Sequence, residues 1–311
     1  MIKPIVWALA ALTFLVPSAF AATSSKAASG KATPRDNIVR AQVFLHRAWF
    51  SSGEIDGRMG SNMRRALKAF QQSHGIPQSG QLDAKTWEIL GAPDAQVLQD
   101  YTVTDKDVAG PFVKVPADPM ERATLPALGY ETLEEALGER FHSSPALLRE
   151  LNRGATFKSG DTVRVPDVRS TAPKKATRLR IHKKDRMLVA LDAEGKPLAL
   201  FPISLGSPRD ELPVGTLKIT TMAENPTFDY DPVLLHDKDP SHKKVSMAAG
   251  PNNPVGVAWV GLSKKHYGIH GTPNPASVGH RETKGCVHLT NWDAKRLMTI
   301  VEVGTPVEVK E

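Results

Sequence analysis

Apolar positions along the chain fall into successive patterns that predict different kinds of structure. Residues 1–21 hold one long apolar run, and residues 22–36 are small and polar. Between residues 37 and 91, apolar side chains recur every three or four positions, which is typical of amphipathic helices. From about residue 178 onward, short alternating runs predict strands, followed by one late helical stretch. The patterns predict a multidomain α+β protein.

The first 21 residues predict a secretory signal peptide. Lys3 precedes an apolar run from residue 5 to residue 16, and Ala19 and Ala21 give a small-x-small pattern where cleavage is expected. An uncleaved membrane anchor is the alternative, but the run is shorter than the roughly 20 residues a spanning helix needs. No later segment predicts a membrane span. We therefore expect an exported protein, in the periplasm or cell wall, with a flexible linker over residues 22–36.

Residues 37–91 predict three short helices. Their ordered Asp56-Gly57, Phe70-Gln71, Gly75 and Thr86-Trp87 series resembles the peptidoglycan-binding domain found at the ends of many wall enzymes. The resemblance implies peptidoglycan as a partner, and we interpret the segment as an anchoring module separate from the active site. The alternative is that the apolar residues only build a core, so no ligand contact is assigned here.

The middle of the chain predicts a connector followed by a small α/β spacer. Residues 92–128 contain several prolines and little periodicity. Residues 129–168 predict two helices, one after Thr132 and one after Ser144-Pro145, and then a strand over residues 162–166. This order resembles the later part of a LysM module, although its opening strand is not evident. We expect a degenerate LysM-like spacer rather than an active glycan binder.

Cys286 is the only cysteine in the 311 residues, so the chain cannot form an internal disulfide. The thiol is therefore buried filler, an intermolecular link or a reactive group. Gly285 precedes it, and His270 lies at the end of a predicted strand. A nearby histidine can take the thiol proton, and the thiolate then attacks a carbonyl carbon. The N–H groups around Gly285 could bind the oxyanion that forms.

A metal site is a further alternative for the same stretch. Cys286 and His288 are two residues apart, and His266, His270 and His280 lie nearby in the sequence. Zinc accepts such ligands, but no paired ligand motif is recognisable. We therefore expect neither a metal nor another cofactor.

Residues 176–309 resemble the catalytic domain of the L,D-transpeptidase (YkuD-type) family. The matching positions are His270-Gly271-Thr272, Thr283, Gly285-Cys286 and the Thr290-Asn291-Trp292-Asp293 run. The resemblance implies a mainly β domain with one late helix, Cys286 as nucleophile and His270 as proton acceptor and donor. It also implies a stem tetrapeptide as acyl donor, cut before its terminal D-alanine, and the diaminopimelate amine of a second stem as acceptor.

The resemblance leaves the last step of the reaction open. The same acyl-enzyme would serve crosslinking of stems, L,D-carboxypeptidase hydrolysis, exchange of D-amino acids or attachment of a protein to the wall. A non-catalytic peptidoglycan-binding scaffold is the non-enzymatic alternative, and the intact Cys286 and His270 argue against it.

Two positions depart from the common pattern of the family. Lys284 replaces the usual histidine before the Gly-Cys pair, and His288 replaces the usual arginine two residues after the cysteine. If the stretch is an extended strand, Lys284 and His288 share one face with Cys286. We expect both to contact substrate, with Lys284 binding an anionic group. The predicted substrate-binding set is completed by Thr283 and Tyr267.

The overall charge is consistent with a wall enzyme but does not identify one. The net charge is +7 at pH 7, and no run of basic residues concentrates it. A positive protein suits an anionic environment such as a cell wall. Because aromatic residues are scarce in the basic stretches, nucleic acid is not an expected partner.

Overall fold

The structure, a computed structural model, describes residues 33–92, 95–206, 211–281, 283 and 285–311. The predicted signal peptide and most of the predicted linker lie outside these residues. Thr33–Glu311 forms one compact unit. No helix in the described part of the chain is long and apolar enough to cross a membrane.

Three helices open the described chain: α1 (Pro34–Arg47), α2 (Ser61–Ser73) and α3 (Ala84–Leu90). The prediction of a small three-helix module is confirmed. Helix α1 begins at Pro34, inside the segment predicted as linker, because Thr33 and Asp36 form a capping box there. The predicted cap of α3 is present, since the Asp83 side chain accepts a hydrogen bond from the Thr86 N–H.

The middle region folds as two strands with helices between them. Its elements are β1 (Leu98–Thr102), α4 (Asp105–Val108), α5 (Pro119–Arg122), α6 (Leu133–Arg140), α7 (Pro145–Leu151) and β2 (Thr162–Pro166). Strand β1 pairs antiparallel with β2 along its whole length. The opening strand that the sequence pattern did not reveal therefore lies inside the predicted connector, residues 92–128. None of its five residues is fully buried, which explains the weak apolar signal. The LysM-like assignment stays a prediction.

An eight-stranded sheet forms the centre of the C-terminal region. Its strands are β3 (Arg178–His182), β4 (Met187–Leu191), β5 (Pro197–Pro202), β6 (Gly215–Glu224), β9 (Ala258–Leu262), β10 (Gly268–His270), β11 (Val287–His288) and β12 (Pro306–Lys310). They lie in the order β11-β10-β9-β6-β12-β3-β4-β5. A separate hairpin pairs β7 (Phe228–Tyr230) with β8 (Val245–Met247). Helix α8 (Asn291–Ile300) follows β11, so the prediction of a mainly β domain with one late helix is confirmed.

Strand β4 is buried on both faces. Leu188 and Ala190 belong to the core beneath α8, whereas Val189 and Leu191 join the core of the N-terminal helices. The main chain continues this contact, because the Ser51 N–H donates to the Leu200 carbonyl oxygen at 2.8 Å. The N-terminal helices and the sheet therefore share one core. None of residues 37–91 lines the Cys286 pocket, and their interpretation as an anchoring module separate from the active site stays a prediction.

Candidate active site

Cys286 lies at the wall of a pocket of about 480 Å³, directly before strand β11. Gly285, which also lines the pocket, has a φ of +111°, a conformation that other residues rarely adopt. The Cys286 Sγ lies 3.7 Å from the His266 carbonyl oxygen. The pocket is completed by Trp259, Tyr267, Val255 and residues of the β7–β8 hairpin, including Phe228, Asp229, Asp231, Leu234 and Leu235. The thiol therefore faces a space large enough for a peptide segment.

His270 is held in one orientation beside this pocket wall. Its ring is 2% exposed, and its Nδ1 lies 2.7 Å from the Gly271 carbonyl oxygen. Because a carbonyl only accepts, Nδ1 must carry the hydrogen, and Nε2 keeps the free lone pair. The Trp259 ring stacks on the imidazole with centroids 5.3 Å apart. A histidine oriented through a third group in this way can act as a general base.

Strand pairing sets the spacing between the two candidate catalytic side chains. Strands β10 and β11 run parallel, with Ile269 opposite Val287 and His270 opposite His288. Cys286, one residue before Val287, thus lies level with Gly268, whose main chain favours the thiolate. Among the described residues, no hydrogen bond joins the Cys286 Sγ to the His270 ring. Such contacts often tighten only when substrate binds.

Burial keeps both groups neutral in the free protein. Desolvation lowers the pKa of His270 to about 4, which the hydrogen bond to Gly271 opposes. Desolvation also raises the pKa of the Cys286 thiol, against the Gly268 hydrogen bond. A thiolate–imidazolium pair is therefore not formed in advance. The arrangement favours removal of the thiol proton by the imidazole as the sulfur attacks.

The predicted substrate-binding residues fall into different places. Tyr267 lines the pocket. The Thr283 hydroxyl instead donates to the Cys286 carbonyl oxygen at 2.7 Å, so it fixes the main chain at Cys286. Lys284 lies outside the described residues. Of Tyr267 and Thr283, only Tyr267 therefore lines the pocket beside Cys286.

His288 contacts His270, and it is not among the residues that line the Cys286 pocket. The His270 and His288 ring centroids are 4.4 Å apart. Strand β11 includes only Val287 and His288, and the left-handed Gly285 interrupts any strand before it. The stretch is therefore not one continuous strand, and the expectation that Cys286 and His288 share one face stays a prediction.

The middle region packs against the β7–β8 hairpin, which forms the pocket wall opposite Cys286. The sequence pattern did not predict this contact. Leu128 packs against Tyr230 and Met247 of the β7–β8 hairpin in a small apolar cluster. His242 of the hairpin lies 3.1 Å from Asp118 and 2.8 Å from Asp237. Two hydrogen bonds join Leu128 to the loop after the hairpin, one to the Ala249 carbonyl and one from the Asn252 N–H. The predicted connector therefore positions this wall.

Behind His270, Asn291 links the main chain at Val257 to the middle region. Its Oδ1 accepts from the Val257 N–H at 3.2 Å, and its Nδ2 donates to Glu139 at 3.0 Å. The Asn291 Oδ1 lies so close to Gly271 that an added Cβ would come within 2.1 Å of it. Burial raises the pKa of Glu139 to about 8. Sequence analysis missed Glu139 because nothing in its own helix distinguishes it from a solvent-exposed glutamate.

No group of three or more His, Cys, Asp or Glu side chains in the described residues is arranged to hold a metal ion.

Two different family models match the N-terminal and the C-terminal regions of the chain. Residues 176–309 match the family model described as "L,D-transpeptidase catalytic domain". Residues 34–90 match the model described as "Putative peptidoglycan binding domain". The second match covers the three N-terminal helices, and the first covers the eight-stranded sheet together with Cys286 and His270.

Several proteins similar to this chain are described as L,D-transpeptidases. One from Bacillus licheniformis, described as "Putative L,D-transpeptidase YkuD", is 28% identical over 190 residues, which are 58% of this chain and 93% of that protein. The protein of that description from Bacillus subtilis is 31% identical over 121 residues, 39% of this chain and 58% of its own length. L,D-transpeptidase 3 from Mycobacterium tuberculosis aligns at 18% identity with a TM-score of 0.35, covering 49% of this chain and 76% of that chain. The C-terminal region of this chain belongs to the L,D-transpeptidase catalytic-domain family, and its N-terminal helices are a peptidoglycan-binding domain.

Proposed function

We propose that this protein is an exported L,D-transpeptidase that crosslinks peptidoglycan stem peptides through a thioester on Cys286. The observation that carries the proposal is the presence of two features side by side, one at the end of β10 and one directly before its partner strand β11. A lone thiol follows a left-handed glycine, and a buried histidine keeps its Nε2 lone pair free because Nδ1 donates to Gly271. The match to the catalytic-domain family supports the reaction class.

In the proposed first half-reaction, the Cys286 sulfur attacks the carbonyl carbon that precedes the terminal D-alanine of a stem tetrapeptide. The His270 Nε2 takes the thiol proton as the carbon–sulfur bond forms. The N–H groups at Gly285 and Cys286 are the proposed donors to the oxyanion. The imidazolium then gives its proton to the nitrogen of the departing D-alanine, and the thioester remains.

The second half-reaction uses an amine as the nucleophile. The side-chain amine of a diaminopimelate residue on another stem attacks the thioester carbonyl while the His270 Nε2 accepts its proton. The carbon–sulfur bond breaks, the thiol recovers the proton, and an amide crosslink is left. Water in place of the amine would give a tripeptide instead of a crosslink, so the acceptor decides the product.

The products of a soluble stem tetrapeptide test the proposal. The mature full chain should release D-alanine and form a crosslinked dimer, and mass spectrometry identifies both. Cys286→Ala, which removes only the sulfur, should give neither product while the protein remains folded. Equal product from wild type and Cys286→Ala would contradict the proposal, and tripeptide without dimer would replace transpeptidation by hydrolysis.

A further inference from the structure

Helix α2 contacts the loop that joins β10 to β11, between His270 and Cys286. The contact is made by Asn62, which lies in the first turn of α2 and is 8% exposed. Its Nδ2 donates a hydrogen bond to the Val278 carbonyl oxygen at 2.9 Å. Because Asn62 belongs to the N-terminal helices, the loop is held from outside the region that matches the catalytic-domain family.

A second contact fixes the orientation of the Asn62 amide. A guanidinium nitrogen of Arg65 lies 2.9 Å from the Asn62 Oδ1, and a guanidinium only donates. The amide oxygen must therefore face Arg65, which leaves the amide nitrogen to face Val278. The hydrogen bond to Val278 is buried, and a buried carbonyl that loses its donor is costly. The loop is thus held by a donor that is itself held in place.

Gly279, the next residue of the loop, packs directly against the same amide. Its φ is +81°, and a Cβ built there would overlap the Asn62 Oδ1. Glycine suits this place because it has no side chain to overlap the amide and tolerates the left-handed main chain. The contact between α2 and the loop can therefore be broken from either side.

Ser204 connects this part of the loop to strand β11. Its hydroxyl donates to the Ser277 carbonyl oxygen at 3.2 Å and accepts from the Gly279 N–H at 3.1 Å. Its main chain exchanges two hydrogen bonds with His288, at 3.0 and 2.9 Å. A displacement of the loop would therefore be transmitted through Ser204 to the strand that begins directly after Cys286.

We propose that Asn62 is a positioning residue for the reaction at Cys286, because it holds the loop at Val278 and Gly279. The inference rests on the proposed function, since it takes Cys286 as the nucleophile. Asn62 does not line the Cys286 pocket, so it acts through the loop and not on the substrate. The role belongs to this polar contact and not to the apolar core that the same helices share with β4.

Position matters because the proposed reaction forms an oxyanion beside Cys286. The N–H groups at Gly285 and Cys286, its proposed donors, stabilise that oxygen only if they point at it. Acylation by a β-lactam passes through a similar oxyanion and needs the same donors. Alkylation by iodoacetamide displaces iodide at a saturated carbon, forms no oxyanion and needs only an accessible sulfur. The ratio of the two rates therefore reports the geometry around Cys286 separately from the reactivity of its thiol.

The test measures both rates by mass spectrometry in the mature full chain, after circular dichroism has shown that each variant is folded. Asn62→Ala removes the amide. Asn62→Asp keeps its shape and its contact with Arg65, but removes the donor to Val278. Gln72→Ala, which removes an exposed amide from the same helix, is the matched control.

We expect Asn62→Ala to be acylated about tenfold more slowly than wild type, while its alkylation rate stays within about twofold. Asn62→Asp should lose as much, because a carboxylate cannot donate to a carbonyl oxygen. Gln72→Ala should match wild type in both rates. Acylation of Asn62→Ala or Asn62→Asp at the wild-type rate per folded molecule would make Asn62 a structural residue only and overturn the proposal. A parallel fall in acylation and alkylation would overturn it as well.

A double variant tests whether Asn62 and Gly279 act through one contact. Gly279→Ala should slow acylation, because its methyl group overlaps the Asn62 amide. In Asn62→Ala/Gly279→Ala the overlap is absent, so the second substitution should cost less than it does in the wild-type background. Full additivity of the two losses would contradict the shared contact.

Failure here is distinguishable from failure of the proposed reaction. A wild-type protein that a thiol-directed β-lactam does not acylate would remove the proposed function and this inference together. A wild-type protein that is acylated on Cys286, alongside Asn62→Ala acylated at the same rate, would leave the proposed function standing and remove only the positioning role of Asn62.

Discussion

The catalytic domain meets its two neighbours through interfaces of opposite character. The apolar interface joins the N-terminal helices to β4 and β5 through Phe50, Val189, Leu191 and Leu200, all members of one buried cluster. The polar interface joins the middle region to α8 and the preceding loops through Glu139, His142, Asn252, Asn291 and Trp292. There Asn252 donates to Glu135 at 2.8 Å, and the His142 ring stacks on Trp292 with centroids 5.2 Å apart.

The difference suggests separate roles for the two interfaces, one in the stability of the fold and the other in the geometry of the site. Apolar burial is non-directional and contributes in proportion to its area, so the apolar interface stabilises the fold without fixing any catalytic atom. Buried hydrogen bonds are directional, and a missing partner is costly. The polar interface ends at Asn291, directly against Gly271, whose carbonyl orients His270. We infer that it positions the site.

The largest effect is expected when the apolar interface is broken. Phe50→Ala removes a ring that is 4% exposed and packs edge-on against Phe70 at 5.6 Å. The free energy of unfolding, measured with denaturant, should fall by about 3–5 kcal/mol. Turnover per folded molecule should stay near wild type.

Ile89→Ala is the matched control in the same module, because Ile89 is 39% exposed. Its cost should be within about 0.5 kcal/mol. Equal costs for Phe50→Ala and Ile89→Ala would show that the N-terminal helices do not share a core with the sheet.

Breaking the polar interface should affect turnover as well as stability. Glu139→Ala leaves the Asn291 Nδ2 without one acceptor, at a cost of about 1–3 kcal/mol. Because Asn291 packs against Gly271, kcat should also fall. Glu139→Gln keeps an acceptor oxygen and should restore most of both quantities. If Glu139→Ala loses stability but keeps the wild-type kcat and pH profile, Glu139 is a structural residue only.

The polar interface should also make stability depend on pH, through the buried Glu139 carboxyl. Its pKa is raised to about 8 when folded, against about 4.3 for a free glutamate, so the folded protein retains a proton that the unfolded chain releases between these values. The stability that this group contributes is complete below about pH 4 and is lost as the pH rises through 8.

Glu139→Gln cannot titrate, so its unfolding free energy should increase relative to wild type as the pH rises from 5 to 8.5. Denaturant titrations of both proteins across this range measure the difference. Parallel stability curves would show that Glu139 is ionised in the folded protein.

The smallest expected effect is on the pH dependence of kcat/KM, which differs between a buried and a solvated His270. With its pKa lowered to about 4, the imidazole should stay an active base down to mildly acidic solution. The acid limb of kcat/KM should therefore lie near pH 4 rather than near 6.5, the usual value for histidine. A limb near 6.5 would indicate that water reaches the ring and that the polar interface does not seal it.

Sequence reasoning predicted the parts of the site that local patterns encode. Cys286, Gly285 and His270 stand in short ordered motifs, and all three meet at β10 and β11. Glu139 could not be predicted, since its partner Asn291 lies 152 positions away and no periodicity reports such a contact. The shared core of β4 was missed because an apolar run is equally consistent with burial by either neighbour. The sequence therefore predicted the elements within each region but not the contacts between the regions.

The central claim is that Cys286 is the nucleophile that carries the acyl group. Incubation with a thiol-directed β-lactam, followed by intact mass spectrometry and peptide mapping, tests it directly because the ring-opened acyl-enzyme is trapped. The account predicts one adduct per chain, located on Cys286, and none on folded Cys286→Ala. An adduct of equal yield on Cys286→Ala, or an unmodified wild-type protein, would contradict it.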